Sequence, residues 1–215
     1  MDVLVLFLAL LGGYWIGRNQ RFGWAFQNEG ERLVAQSLRE HFSSPAFHLL
    51  NHVTLHTPEG TTQVDHILVS CFGVFVIETK DYSGWIFAGE RDANWTQVLF
   101  HHKFRFQNPI RQNFRHICAV RSLLDFLPPE AVQSAVVFVG SAEFKAGMPR
   151  GVFTVQGLID HIGRQPPDIM SLNRVQFCVG RLEMARLALS GETDIEHVES
   201  LRWRFRKSWW RSPRS

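Results

Sequence analysis

Apolar positions along the chain first form an unbroken run and then settle into helical and strand periods. Val3 to Gly17 reads VLVLFLALLGGYWIG, with no charge in it. From about Asn28 to Phe42, Leu33, Val34, Leu38 and Phe42 fall on one broad helical face. Asn28 suits the N-cap, Glu31 follows in capping-box position, and Ser43-Ser44-Pro45 ends the helix. Strand-like segments come next at Phe47–Leu55, Gln63–Ser70 and Gly73–Lys80, divided by Pro58-Glu59-Gly60 and the tight link Ser70-Cys71-Phe72. Asp81-Tyr82-Ser83-Gly84 turns the chain into a short strand near Trp85–Ala88, and a longer strand is predicted over Trp95–Phe104.

Asn108-Pro109 opens a predicted helix to about Phe126, with Ile117, Val120, Leu123 and Leu124 as its apolar stripe and Pro128-Pro129 as its stop. Ser134–Gly140 reads as a fully buried strand and Gly151–Val155 as another. Helices are predicted near Gln156–Arg164, Leu172–Ser190 and Asp194–Lys207. This order predicts an α/β (α+β) sandwich around a mixed sheet, with Pro166-Pro167 leading into a helical C-terminal extension.

The chain has 215 residues, 45% hydrophobic and 20% charged, which suits one domain with a sizeable core. A net charge of +3 says little about partners, but its distribution says more. In the tail, residues 201–215, Arg202, Arg204, Arg206, Lys207, Arg211 and Arg214 interleave with Trp203, Phe205, Trp209 and Trp210, without an acid. That composition suits an anionic surface, nucleic acid or lipid headgroups, and equally a basic end with no partner. Cys71, Cys118 and Cys178 lie far apart, which gives a CxxC zinc site no support and fits reduced, buried thiols in a cytosolic compartment.

Residues 1–17 read as an N-terminal membrane-anchor helix. Its apolar stretch would span roughly 22 Å, short of a hydrocarbon core of about 30 Å. Bilayer thinning and snorkelling of Arg18 and Arg21 make up the difference. Asp2 precedes the run and Tyr14-Trp15 sits near its end, which is unlike a cleavable signal and like an interfacial belt. The cations beyond it would keep the remaining chain cytoplasmic. The competing expectation is a buried or partner-bound apolar helix.

Alternation places Val74, Val76, Glu78 and Lys80 on one face of the GVFVIETK strand. Asp65 interrupts the neighbouring apolar strand, where a carboxylate needs a partner or a metal. Asp65 and Glu78 are hard oxygen ligands suited to Mg²⁺ or Mn²⁺, and Lys80 can orient a water or stabilise charge on phosphate oxygens. The spacing alone also fits a surface Glu78–Lys80 ion pair beside a satisfied Asp65. His66 lies on the opposite face and reads as structural.

Gly30-Glu31, Gln63-Val64-Asp65-His66-Ile67-Leu68-Val69, Gly73-Val74-Phe75-Val76-Ile77-Glu78-Thr79-Lys80, Tyr82-x-Gly84, Trp95 and Asn108-Pro109-x-x-Gln112 occur in this order. Together they resemble the nuclease-related domain (NERD) family of the PD-(D/E)xK restriction-endonuclease-like superfamily. One departure is Gln27, where the family's GxxGE motif has its first glycine. The resemblance implies a restriction-endonuclease-like mixed central sheet flanked by helices, with a nuclease core over residues 24–140 and residues 141–200 extending the same globular unit. It implies catalytic Asp65, Glu78 and Lys80, with Glu31 and Gln112 beside them, although Glu31 also fits a capping box and Gln112 an ordinary helix surface. Asn108 is expected to cap its helix. The function so implied is Mg²⁺-dependent hydrolysis of DNA phosphodiester bonds at a membrane. A catalytically silent module that binds nucleic acid or a partner is the alternative, and a membrane-surface scaffold a third.

Overall fold

The computed structural model describes residues 29–166 and 169–187. The apolar run, Asn28, the helix expected at Asp194–Lys207 and the basic tail lie outside the described residues, as does the end of the helix expected to reach Ser190. No helix among the described residues is long and apolar enough to cross a membrane.

A helix over residues 29–41 (α1) leads into strands β1 (Phe47–Thr57), β2 (Gly60–Ser70) and β3 (Gly73–Asp81). Next come β4 (Gly84–Phe87), β5 (Asn94–Leu99), β6 (His102–Gln107) and helix α2 (Pro109–Leu123). Strands β7 (Val132–Val139), β8 (Ala142–Phe144) and β9 (Val152–Phe153) precede helices α3 (Val155–Gly163) and α4 (Leu172–Ala185). The main sheet has the order β1-β2-β3-β7-β9, and a second sheet the order β6-β5-β4-β8. Two mixed sheets flanked by helices, with a helical C-terminal part, are consistent with the restriction-endonuclease-like fold expected from the sequence.

Fully buried parallel strands need cover on both faces. Here α2 and α4 pack with Val74 and Val76 of β3, while Val34 and Leu38 of α1 and Leu158 and Ile162 of α3 pack with Phe75 and Ile77. Val175, Cys178 and Leu182 of α4 share the core of β1 and β2, so the C-terminal helix is built into the same body. The parallel pair β3 and β7 continues, after short links, as the parallel pair β4 and β8 of the second sheet.

Several sequence expectations change. The strand expected over Trp95–Phe104 is a hairpin of β5 and β6, because Phe100 takes a left-handed turn conformation (φ 55°) that no glycine or asparagine announces. Leu33, expected on the core face of α1, is 49% exposed; the buried stripe is Glu31, Val34, Ala35 and Leu38. Helix α2 stops at Leu123 before reaching Phe126. Of the cysteines only Cys178 is buried, since Cys118 lies on the solvent side of α2 and Cys71 in the half-buried β2–β3 link.

Gly30 lets α1 approach the ends of β3 and β7. A Cβ there would stand 2.7 Å from Val139 Cγ2 and 2.9 Å from Asp81 Cβ. Gly180, exposed inside α4, has nothing within 4 Å. Chemical denaturation should therefore find Gly30→Ala destabilising by about 1–3 kcal/mol through overpacking. The same change at Gly180 should stabilise by about 0.5–1 kcal/mol through helix propensity. Equal effects at the two sites would remove the close-approach explanation.

Candidate active site

The chemistry of interest gathers where β3 leaves the main sheet. Glu78 and Lys80 point to one side of it, as alternation requires, and the Lys80 ammonium donates to Glu78 Oε1. The second Glu78 oxygen accepts from His116 Nε2 of α2 at 3.1 Å. Thr62 of β2 braces that imidazole from behind, its Oγ1 lying 2.8 Å from Nδ1. Asn113, one turn earlier on α2, pins the helix to the sheet by donating to Val76 O (2.9 Å), Ser134 Oγ (2.8 Å) and Ala135 O (3.1 Å).

Asp65 enters from β2, where the β2–β3 ladder ends. Pairing stops at His66↔Ile77, and one step on the Thr79 N–H donates instead to Asp65 Oδ2 at 2.7 Å. Pairing of β1 with β2 lapses at the same level, between Asn51↔His66 and Val53↔Val64, without a change of register. Leu50 and Val53, and likewise Val64 and Ile67, join one core although each pair is three apart, so alternation slips by one on both strands. At the slip His52 adopts φ 51°, an uncommon conformation for a side-chain-bearing residue and one enriched at functional sites. Its Nδ1 lies 3.3 Å from Glu31 Oε2, which reaches the gap from α1.

Asp65, Glu78, Lys80 and Glu31 are thus brought together. Gln112 is half-buried on α2, one turn before His116, and its side chain makes no hydrogen bond among the described residues. The sequence reading missed His116, Thr62, Asn113 and His52. The first and third had a signal: Asn113, His116, Ile117 and Val120 follow helical spacing and are all buried. Asn108 does cap α2, accepting from Ile110 N–H at 2.9 Å, while its amide donates to Asp92 O at 2.8 Å. His66 is structural as expected. It is buried, it bonds Asn51 Oδ1 at 2.7 Å, and burial followed by His52 and Arg39 holds it down at about 3.

The carboxyl groups meet different fates. Burial pushes Glu78 up, but Lys80 and His116 outweigh it and hold the group at about 2. Asp65 is pushed well above the carboxylate range by burial, then by Glu78 and Glu31, against the opposing pull of Lys80 and the Thr79 N–H. Burial and Glu78 raise Glu31 to about 7. Lys80, which burial alone would lower, is held above its ordinary value by Glu78 and Asp65.

These are the hard oxygen donors that a divalent cation prefers. Mutual repulsion among Glu31, Asp65 and Glu78, with Lys80 the nearest opposing charge, is a deficit that such an ion would relieve. The donor chemistry is compatible with a divalent cation such as Mg²⁺ or Mn²⁺, and Asp65 and Glu78 are the residues that could hold one. The arrangement is not closed around an ion: among the described residues no group of three His, Cys, Asp or Glu is placed to hold one.

The family model of the nuclease-related domain matches residues 27–139, more than half of the chain. An uncharacterized protein of Bacillus anthracis is 45% identical over 97 residues, which cover 45% of this chain and 45% of that relative. The chain thus spans less than half the length of that curated relative. No solved structure matches.

Glu31 supplies a pH test. Its folded value of about 7 lies above the unfolded 4.5, so its contribution to stability is fully present below pH 4.5 and lost as pH rises through 7. Glu31→Gln should therefore melt like wild type at pH 4.5, and above pH 7 be more stable by at most about 3 kcal/mol. Identical melting profiles across that range would place the Glu31 carboxyl in water.

Proposed function

The chain belongs to the nuclease-related domain family, and from that premise we propose that it is a Mg²⁺- or Mn²⁺-dependent nuclease hydrolysing DNA phosphodiester bonds. One observation carries the reading: Asp65, Glu78, Lys80 and Glu31 converge at the end of β3, with Glu78 held by Lys80 and His116, Asp65 by the Thr79 N–H, and Glu31 reaching in from α1. Asp65 and Glu78 would hold the cation, which when bound supplies Lewis acidity at the scissile phosphate and a more acidic water.

The chain's own groups do the rest. Lys80, held as an ammonium above its ordinary value, acts as a fixed cation for charge developing on phosphate oxygens and not as a proton acceptor. His116, braced by Thr62, fixes the Glu78 carboxylate. The Thr79 N–H orients Asp65. Glu31 adds a third carboxylate from α1, and Gln112, on the same face of α2 as His116, is available to a phosphate or base.

A second reading, a silent module that binds nucleic acid without cutting it, draws support from Glu78. Both of its oxygens are engaged by Lys80 and His116, so a cation must compete for them. We further propose, on sequence alone, that residues 1–17 tether the domain to the cytoplasmic face of a membrane.

Purified protein should cleave DNA with Mg²⁺ and not with EDTA. Asp65→Asn keeps an acceptor for the Thr79 N–H, and Lys80→Gln keeps an uncharged polar chain against Glu78; each should lower cleavage at least about a hundredfold while remaining folded. Mg²⁺ should also raise the melting temperature of wild type and not of Asp65→Asn. Full activity in either variant would sink the assignment, and calorimetric silence towards Mg²⁺ would favour the silent module. For the tether, the full chain should sediment with membranes and a chain lacking residues 1–20 should not; a wholly soluble full chain would refute it.

A further inference from the structure

The β4–β6 segment is inserted between the two parts of the candidate site, entered from Lys80 and left through Asn108 into α2. Its sheet buries one face: Ile86 and Trp95 pack against Phe138, with Phe106 and Phe144 alongside. A half-buried sheet ordinarily turns polar side chains outward. Here the outward positions of β4 are Trp85, 49% exposed, and Phe87, 45% exposed.

Register organises this face into two cross-strand rows. One runs Lys103, Val98, Trp85, Glu143; the next runs Arg105, Thr96, Phe87. Lys103 and Arg105 are exposed on β6. From the far side Lys145 lies over the Trp85 ring, 4.3 Å from its centroid, and pairs with Glu143. Two aromatic side chains thus stand about 6.7 Å apart along β4, with a basic strand on one flank, a lysine on the other and a single acid among them. Lys80 and Trp85 are five residues apart, a reach of at most about 18 Å.

We propose that this outer face is a docking platform for single-stranded nucleic acid, with bases stacking on Trp85 and Phe87 and phosphates meeting Lys103, Arg105 and Lys145. Its ligand class rests on the nuclease reading of the neighbouring site. Charge complementarity favours a polyanion over a protein partner. The exposed ring faces favour a single strand, whose bases are free to stack; those of a duplex are already stacked. Lys145 gives up its place over Trp85 to a base and remains within reach of the adjoining phosphate.

The test is fluorescence anisotropy of the full chain in EDTA with labelled oligodeoxythymidylate, oligouridylate and a duplex of equal length. Wild type should prefer a single strand. Trp85→Ala should weaken that binding about tenfold or more, and Trp85→Tyr should restore most of it. Lys103→Gln with Arg105→Gln should reduce the salt slope by roughly 1.4. These positions lie on an outer face, so melting temperatures should hold. Binding through the basic tail would be blind to Trp85, and unchanged affinity in Trp85→Ala and Phe87→Ala would overturn the platform. So would a duplex preference unaffected by these variants, or variants that alter only self-association. DNA cleavage by wild type with unaltered binding in the variants would defeat the platform alone. Trp85-dependent binding without any cleavage would leave the platform standing and defeat the nuclease reading.

Discussion

Everything at the end of β3 depends on one electrostatic constraint: three carboxyl groups are taken out of water beside a single ammonium. Leaving one such charge unpaired inside a protein costs several kcal/mol, so their placement is tightly determined. Glu78 takes the favourable position between Lys80 and His116 and stays ionised. Asp65 and Glu31 take the unfavourable ones and are pushed up. The surrounding fold supplies what this requires. Gly30 brings α1 against Asp81 and Val139, Asn113 rivets α2 to β3 and β7, and β1 and β2 slip together at His52 and Asp65.

That arrangement is poor for stability and useful for chemistry. Replacing Glu31 by its amide removes a buried charge that Lys80 does not fully offset, which is why the expected gain appears only where the carboxyl is ionised. Sites that hold unbalanced charge commonly exchange stability for function. A divalent cation or a phosphate would restore the balance, but each from a different side: the cation through Asp65 and Glu78, the phosphate through Lys80. The Glu78–Lys80 contact is where the two demands meet, because a cation approaching Glu78 competes with the ammonium already there.

Much of this was legible because alternation holds along β3. It set Glu78 and Lys80 on one face, and the proline and asparagine before α2 announced its cap. Helical phase was harder to read. Centring α1 on Leu33 left Glu31 as a capping residue, whereas the stripe through Val34, Ala35 and Leu38 carries Glu31 into the core. Reading α2 by its apolar residues passed over His116 and Asn113, although both obey the spacing of Ile117 and Val120. His52 had no local signal, because its left-handed backbone sits in mid-strand with no glycine to mark it. The β5–β6 turn at Phe100 was hidden for a similar reason: no glycine, asparagine or proline marked it.

The missed hairpin changes the functional picture most. A single long strand over Trp95–Phe104 would have left β4 as an isolated edge, with Trp85 and Phe87 as incidental surface aromatics. Folding back at Phe100 adds β6, and β6 brings Lys103 and Arg105 into the rows that contain Val98 and Thr96. Strand β8, short and unannounced, closes the other side and brings Lys145 to Trp85. Strands β4 and β8 follow the two parallel strands of the main sheet after short links, so this face and the Glu78–Lys80 site are carried on successive segments of the same two stretches of chain.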